Sequence, residues 1–185
     1  FYINLSPDAF RNAFFVRPTD PPTVVIRGPD LGVVLNSLWV AALVAAADVA
    51  LGFVLAYVLA KYVFRGRTFL GLLATVPLIV MPFATAYVVR KFLDPRWGTL
   101  NWILHDVLGL PFRLEISGLA AVALVQAIMY LPIAYLNIYA ALTRVDPTLE
   151  EVANNLGAGE GRAVRDVVFP LSLPGLAAAF VLVFI

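Results

Sequence analysis

The sequence predicts an all-α, polytopic integral membrane protein. Hydrophobic residues make up 62% of its 185 residues and charged residues only 14%, and the mean hydropathy is +0.90. A soluble globular domain is closer to half apolar and a quarter charged. Because a small domain leaves much of its surface in water, this excess of apolar side chains is expected to face lipid. Several apolar stretches are also long enough to cross a bilayer, which takes about 20 residues.

Four apolar stretches are predicted to be membrane spans. Residues 1–34 are expected to form an external loop segment, and residues 35–185 the transmembrane domain. Because the chain begins without Met and ends inside an apolar run, we expect a fragment that is truncated at both ends. Prolines in the second span are tolerated where neighbouring helices satisfy the freed carbonyl groups. The predicted spans cover about residues 35–60, 68–89, 119–142 and 171–185, the last being truncated.

The basic residues of the short loops predict the orientation of the spans. Lys61, Arg65 and Arg67 lie between the first two spans with no acidic residue among them. Cytoplasmic loops carry an excess of Lys and Arg, so this loop and residues 143–169 are placed in the cytoplasm. The N-terminal segment and residues 90–118 then face outward.

Composition also narrows the possible functions. The net charge is +1 and no basic run is present, so nucleic acid is not an expected partner. The chain has no Cys and a single His, so we expect no metal site and no cofactor. Asp48 is the one acidic residue within a predicted span, which leaves no paired acids for intramembrane catalysis. No catalytic residue is therefore predicted.

The loop after the third span, residues 143–170, is predicted to hold a short amphipathic helix. Asp146 and Pro147 suit the N-cap and the first helical position, and Glu150 falls in the first turn, where the helix dipole favours an acid. Gly157 suits the C-terminal end. A helix lying on lipid headgroups would carry Lys or Arg on its polar face, whereas this one carries none, so docking into a groove on a partner protein is favoured. The apolar stripe consists of Leu149, Val152, Ala153 and Leu156.

The spacing within this loop resembles the EAA motif of binding-protein-dependent ABC importer permeases. In that motif Glu-Ala-Ala is followed after three residues by Gly, and nine residues later by Ile, any residue and Leu-Pro. Here Glu151-Val-Ala153 stands for Glu-Ala-Ala, Gly157 follows after three residues, and Val167-Val-Phe-Pro170 stands for the final element. Val152 and Phe169 depart from the motif but stay apolar.

The resemblance implies a type I ABC importer fold of the MetI-like kind in a bacterial inner membrane. Its expected partners are cytoplasmic ABC ATPase subunits, a second permease subunit and a periplasmic or lipid-anchored solute-binding protein. ATP hydrolysis is expected on the ATPase, so the chain itself is not expected to be an enzyme. The residues that the resemblance assigns to ATPase coupling are Glu150, Glu151, Ala153, Gly157 and Pro170.

The solute is predicted only as a group of alternatives. The Asn154–Ala158 run resembles permeases for ferric iron, polyamines, thiamine or phosphonate, whereas residues 98–111 resemble sugar permeases. A sugar or glycerol-phosphate permease is therefore the alternative. A secondary transporter or channel would share the hydropathy but has no need of a docking helix. Whether the pore is a homodimer, a heterodimer or a fused chain stays open.

Four polar residues within the spans are candidates for the solute pathway. Asp48 lies near the centre of the first span, where an acid costs roughly 2.5–3.5 kcal/mol and must face protein or water. In the third span, the spacing of Gln126, Tyr130 and Asn137 places all three on one helical face. Polar residues also hold transmembrane helices together, and this interpretation stands beside the first.

Overall fold

The computed structural model describes residues 6–155 and 158–185. Most of this part is helical, with three short strands. A single 3-10 turn at Val76–Leu78 and π-helical turns at Trp102–Val107 and Val164–Val168 connect some of the helices. In chain order the elements are α1 (Pro7–Arg11), β1 (Phe14–Arg17), β2 (Thr23–Ile26), α2 (Val33–Lys61), α3 (Arg67–Thr75), α4 (Pro82–Phe92), α5 (Thr99–Asn101), β3 (Arg113–Ile116), α6 (Gly118–Leu142), α7 (Pro147–Asn155), α8 (Glu160–Ala163) and α9 (Phe169–Phe184).

Three helical runs in the described part of the chain are long and apolar enough to cross a membrane: α2, α6 and the run Gly161–Phe184. Only 22–28% of their apolar windows is buried inside the chain, so most of that surface is free to contact lipid or other proteins. Helices suit lipid because each satisfies its backbone hydrogen bonds internally. The predicted all-α membrane fold is confirmed.

The stretch predicted as the span 68–89 is not one continuous helix. Pro77 lies in the 3-10 turn that follows α3, and α4 begins anew at Pro82. Pro has no N–H to donate to the preceding turn, so two prolines five residues apart in sequence favour a break here. The two halves are long and apolar enough to cross a membrane only when taken together, either as a broken span or as a re-entrant loop. That residues 68–89 cross the membrane once stays a prediction.

The described residues fall into two compact units. One, here called the helical unit, comprises residues 45–79, 130–155 and 158–185. In it α2 packs closely on α6, because a Cβ at Gly52 would lie 3.1 Å from the Tyr135 backbone nitrogen. Gly175 of α9 similarly lies against Ala141 of α6. Small residues let helix backbones approach in this way, as is common between membrane helices.

The other unit, here called the sheet unit, comprises residues 6–44 and 80–129. Its three-stranded sheet has the order β1-β2-β3, with β1 antiparallel and β3 parallel to β2. The central strand is β2, and its Val25 is fully buried. β1 and β3 were not predicted, since four residues give too short a pattern to distinguish a strand from a loop.

Asn101 holds the loop before β3 together. Its side chain is buried, and its Nδ2 donates to the carbonyl groups of Asp94 and Leu114 at 3.1 and 2.8 Å. Its Oδ1 accepts from the Leu114 N–H at 2.6 Å. One amide therefore satisfies backbone groups of two chain segments, as buried polar groups require.

Replacing Asn101 with Ala is expected to destabilise the full-length protein by about 1–3 kcal/mol, because it leaves buried backbone groups without partners. Thermal unfolding in detergent measures this. The matched control is Asn12→Ala, at an exposed position, which is expected to change stability by less than about 0.5 kcal/mol. Equal effects of the two substitutions would contradict the role given to Asn101.

Candidate docking loop and solute-pathway residues

The loop between α6 and α9 contains the short helix that the sequence predicts. α7 begins at Pro147, and the Asp146 Oδ1 accepts the Thr148 N–H at 2.9 Å, as an N-cap residue does. At the other end the Ala158 N–H donates to the Ala153 carbonyl at 3.0 Å. This bond has the spacing of the one that closes a Schellman motif after a helix.

The Asp146 carboxyl group titrates at lower pH than a free aspartate. The N–H of Thr148 stabilises its charged form, which holds its pKa below the usual value of 3.8. The charged form is therefore the one that caps α7. Its contribution is fully present above about pH 4 and is lost as the pH falls through the lowered pKa.

α7 presents different residues in different directions. Leu149 and Val152 are exposed and Ala153 is half-buried. Glu150 lies about 100° further around the helix than Leu149. Its carboxylate is held within the chain, where it accepts from Lys61 Nζ at 2.5 Å and from the Tyr57 hydroxyl at 3.3 Å. Glu150 is thus turned toward α2, whereas Leu149 and Val152 of the apolar stripe stay exposed.

Two other residues predicted for ATPase coupling are Glu151 and Gly157. Glu151 lies in α7, but nothing is described of its side chain. Gly157 lies outside the described residues, as does Leu156 of the apolar stripe. Their assignment to ATPase coupling stays a prediction.

Pro170 lies inside a continuous helical run. The chain stays helical from α8 through the π-helical turn Val164–Val168 into α9, and Pro170 is the second residue of α9. The wide turn accommodates the proline ring, since the Phe169 N–H donates to the carbonyl of Val164, five residues back. The Phe169 ring packs edge-on against Phe53 of α2, with centroids 5.7 Å apart.

The candidate solute-pathway residues have unlike surroundings. Asp48 is fully buried, and neither carboxylate oxygen has a hydrogen-bond partner among the described residues. Asn137 is half-buried and donates to the Ile133 carbonyl of its own helix at 2.8 Å. Gln126 is half-buried and Tyr130 is partly exposed. Their role in a solute pathway stays a prediction.

Three residues on α2 near the loop were missed as site residues. Phe53, Tyr57 and Lys61 are spaced four apart, so they lie along one face of the helix. The sequence analysis used Lys61 only as a loop charge for orientation. The i, i+4, i+8 spacing was the available signal, but nothing local to α2 indicated what that face would contact.

Comparison with known proteins identifies the family. The family described as "Binding-protein-dependent transport system inner membrane component" matches residues 30–185. The chain belongs to this family. The resemblance inferred from the EAA motif is therefore confirmed, and the chain is a multi-pass bacterial inner-membrane permease component. The alternative of a secondary transporter or channel is not supported.

Relatives of known name are also permeases. The chain is 30% identical over 161 residues to the molybdenum transport system permease protein of Escherichia coli, which covers 87% of this chain and 69% of that protein. It is 26% identical over 181 residues to the ferric transport system permease protein of Actinobacillus pleuropneumoniae, covering 95% of this chain and 26% of that protein. It is 30% identical over 153 residues to the spermidine/putrescine transport system permease protein of Escherichia coli, covering 82% and 55%. These names confirm the predicted iron and polyamine branch.

A solved structure supports the fold. A bacterial ABC transporter involved in the import of the acidic polysaccharide alginate matches with a TM-score of 0.64 at 18% identity. The match covers 81% of this chain and 54% of that chain, so this chain spans about half the length of its structural neighbour. At this identity the likeness concerns the fold alone.

The N-cap of α7 can be tested by hydrogen exchange. In the full-length protein, Asp146→Ala is expected to speed exchange of the Thr148 amide roughly fivefold at neutral pH, because its hydrogen-bond acceptor is gone. Asp146→Asn keeps an acceptor and is expected to exchange like the wild type. As the pH falls through the lowered pKa of Asp146, the wild type is expected to lose part of its protection, because a neutral acceptor replaces the carboxylate, whereas the Asn variant is expected to show no such change. Unchanged exchange in the Ala variant would contradict the cap.

Proposed function

We propose that this chain forms part of the solute pathway of an ABC importer, and that residues 143–170 dock a separate cytoplasmic ATPase. A second permease subunit and an external solute-binding protein complete the proposed assembly. Family membership supports the importer. The docking role is supported by the geometry of α7 and its flanks.

The exposure of two residues of the apolar stripe of α7 is the observation that carries the docking proposal. Leu149 and Val152 are exposed, although the neighbouring Glu150 is held against α2. A short amphipathic helix with this arrangement suits a hydrophobic groove on a partner, which is a common mode of helix recognition. The absence of Lys and Arg between residues 146 and 156 disfavours the alternative of lipid headgroups.

Leu149→Arg is expected to abolish co-purification of the ATPase with the full-length permease, because it places a charge in the proposed groove. Loss of an anchor residue in such an interface typically costs at least about 2 kcal/mol, or roughly 30-fold in affinity. The measurement is a pull-down from native membranes, quantified for both proteins.

Asn155→Arg is the matched control for this substitution. Asn155 is exposed on the same helix and lies about 120° around it from Leu149, so its variant is expected to keep the ATPase. A wild type that brings down no ATPase would contradict the importer assembly. A Leu149→Arg variant that keeps the ATPase would contradict docking through the stripe.

We further propose that the solute is a small charged species of the kind for which the relatives are named: molybdenum, ferric iron or a polyamine. The similarity to those permeases supports this class over sugars. Within the chain, Asp48 is the acid that favours a cation, because its buried carboxylate lacks a partner in the described residues. A buried polar group without a partner calls for a functional explanation.

Asp48→Asn is expected to lower the apparent affinity for a cationic solute by roughly 10-fold or more, since a hydrogen bond to a charged group contributes about 1.5–3 kcal/mol. The measurement is uptake of labelled ferric iron, putrescine and molybdate by cells with the full transporter. Thermal stability should not fall, because the substitution removes a buried charge. Unchanged uptake of all three probes would show that Asp48 does not face the solute, whereas lower stability would favour a purely structural role.

A further inference from the structure

The C-terminal half of α2 carries a continuous stripe of side chains, here called the α2 stripe and consisting of Phe53, Tyr57 and Lys61. The Phe53 and Tyr57 rings stack with centroids 6.1 Å apart. Lys61 Nζ lies 5.4 Å from the centroid of the Tyr57 ring, within cation–π range. Each member therefore touches the next, and the stripe extends over two turns of the helix.

The two ends of the α2 stripe contact opposite ends of the docking loop. At one end, Lys61 and Tyr57 both bind the Glu150 carboxylate of α7. At the other end, Phe53 packs against Phe169 at the start of α9. The loop thus enters and leaves against the same helix face. All five residues belong to the helical unit.

The Lys61–Glu150 pair has the properties of a firm connection. Its side chains are 22% and 20% exposed, so water screens the pair less than a surface ion pair. In each of the other ion pairs among the described residues, at least one of the two side chains is 44% exposed or more. Removing one partner of a partly buried pair leaves the other charge without compensation, which makes such a pair costly to separate.

The proposed docking residues and Glu150 lie on different sides of α7. Leu149 and Val152 of α7 are exposed, whereas Glu150 is held against α2. A displacement of α7 by a docked partner would pull on Lys61 and Tyr57 through the Glu150 carboxylate. α2 is one of the membrane-span candidates, so this connection joins the loop directly to a span.

We propose that the α2 stripe, held by Glu150 at α7 and by Phe169 at α9, carries the displacement of the docking helix into the membrane. Glu150 is then a positioning residue inside the permease and not a contact to the ATPase. This inference rests on the proposed docking function. The sequence analysis assigned Glu150 to ATPase coupling without saying what it contacts, and this inference gives it a partner on α2.

The test uses the full-length permease assembled with its ATPase. These 185 residues contain no Cys, so Leu51→Cys provides a single attachment point for a bimane fluorophore once any cysteine elsewhere in the full-length permease or in the partners is replaced. Leu51 is exposed on α2 and lies about 200° around the helix from Phe53, so the label does not touch the stripe. The signal is the fluorescence change between the nucleotide-free complex and the complex trapped with ATP and vanadate.

Glu150→Gln and Lys61→Met are each expected to keep the co-purified ATPase but to reduce the nucleotide-dependent fluorescence change roughly threefold or more, within the range seen along coupling networks. The charge exchange Lys61→Glu with Glu150→Lys is expected to restore most of the change. Tyr57→Phe, which removes one hydrogen bond to Glu150, is expected to have a smaller effect in the same direction.

Two controls separate this connection from general damage. Tyr62→Phe alters a neighbouring tyrosine whose hydroxyl has no hydrogen-bond partner in the described part of the chain. Glu115→Gln removes the ion pair with Arg17 in the sheet unit. Both variants are expected to keep the wild-type fluorescence change.

The outcomes distinguish this proposal from the docking proposal. A wild type without bound ATPase would end the docking proposal before any variant is compared. If Glu150→Gln loses the ATPase, Glu150 is a docking contact and the inference is wrong. It is also wrong if both single variants keep the full fluorescence change, or if the charge exchange leaves a well-assembled complex as defective as the single variants.

Discussion

One constraint governs the structure of this chain: every backbone N–H and C=O group that is removed from water needs a hydrogen-bond partner. In lipid this need is met by helices, and α2 and α6 are long helices for that reason. The constraint also explains where prolines lie. Pro82 occupies the start of α4, where a missing N–H costs little, and Pro170 follows a wide π-helical turn.

Buried polar side chains also need hydrogen-bond partners, and in the helical unit this need is not always met within the chain. Glycine at positions 52 and 175 lets helices approach closely and gain dispersion contacts. Asp48 is the exception, since its buried carboxylate has no partner among the described residues. In the sheet unit, by contrast, the buried amide of Asn101 is satisfied on both its oxygen and its nitrogen. Asp48 is therefore a candidate for a functional role, and Asn101 for a role in stability.

The docking loop shows how one short helix serves two surfaces. A helix turns by about 100° per residue, so Leu149 and Glu150 necessarily face different directions. In this chain the apolar direction is uncovered, and the acidic direction meets Lys61 and Tyr57. The loop is thus bound to its own span through Glu150, on a different side of α7 from Leu149. That arrangement provides a physical route between the proposed docking site and the membrane.

The sequence by itself determined the features that depend on neighbouring residues: the apolar spans α2 and α6, the N-cap at Asp146 and the motif spacing that indicates the family. Tertiary structure alone decided which distant residues meet. β3 joins the sheet by pairing with β2 (Thr23 opposite Arg113), and Glu150 meets Lys61, which lies 89 residues earlier. Periodicity predicts which face of a helix is apolar, because that depends on residues three or four positions apart. It carries no information on which other segment will pack there, because that depends on the folding of the whole chain.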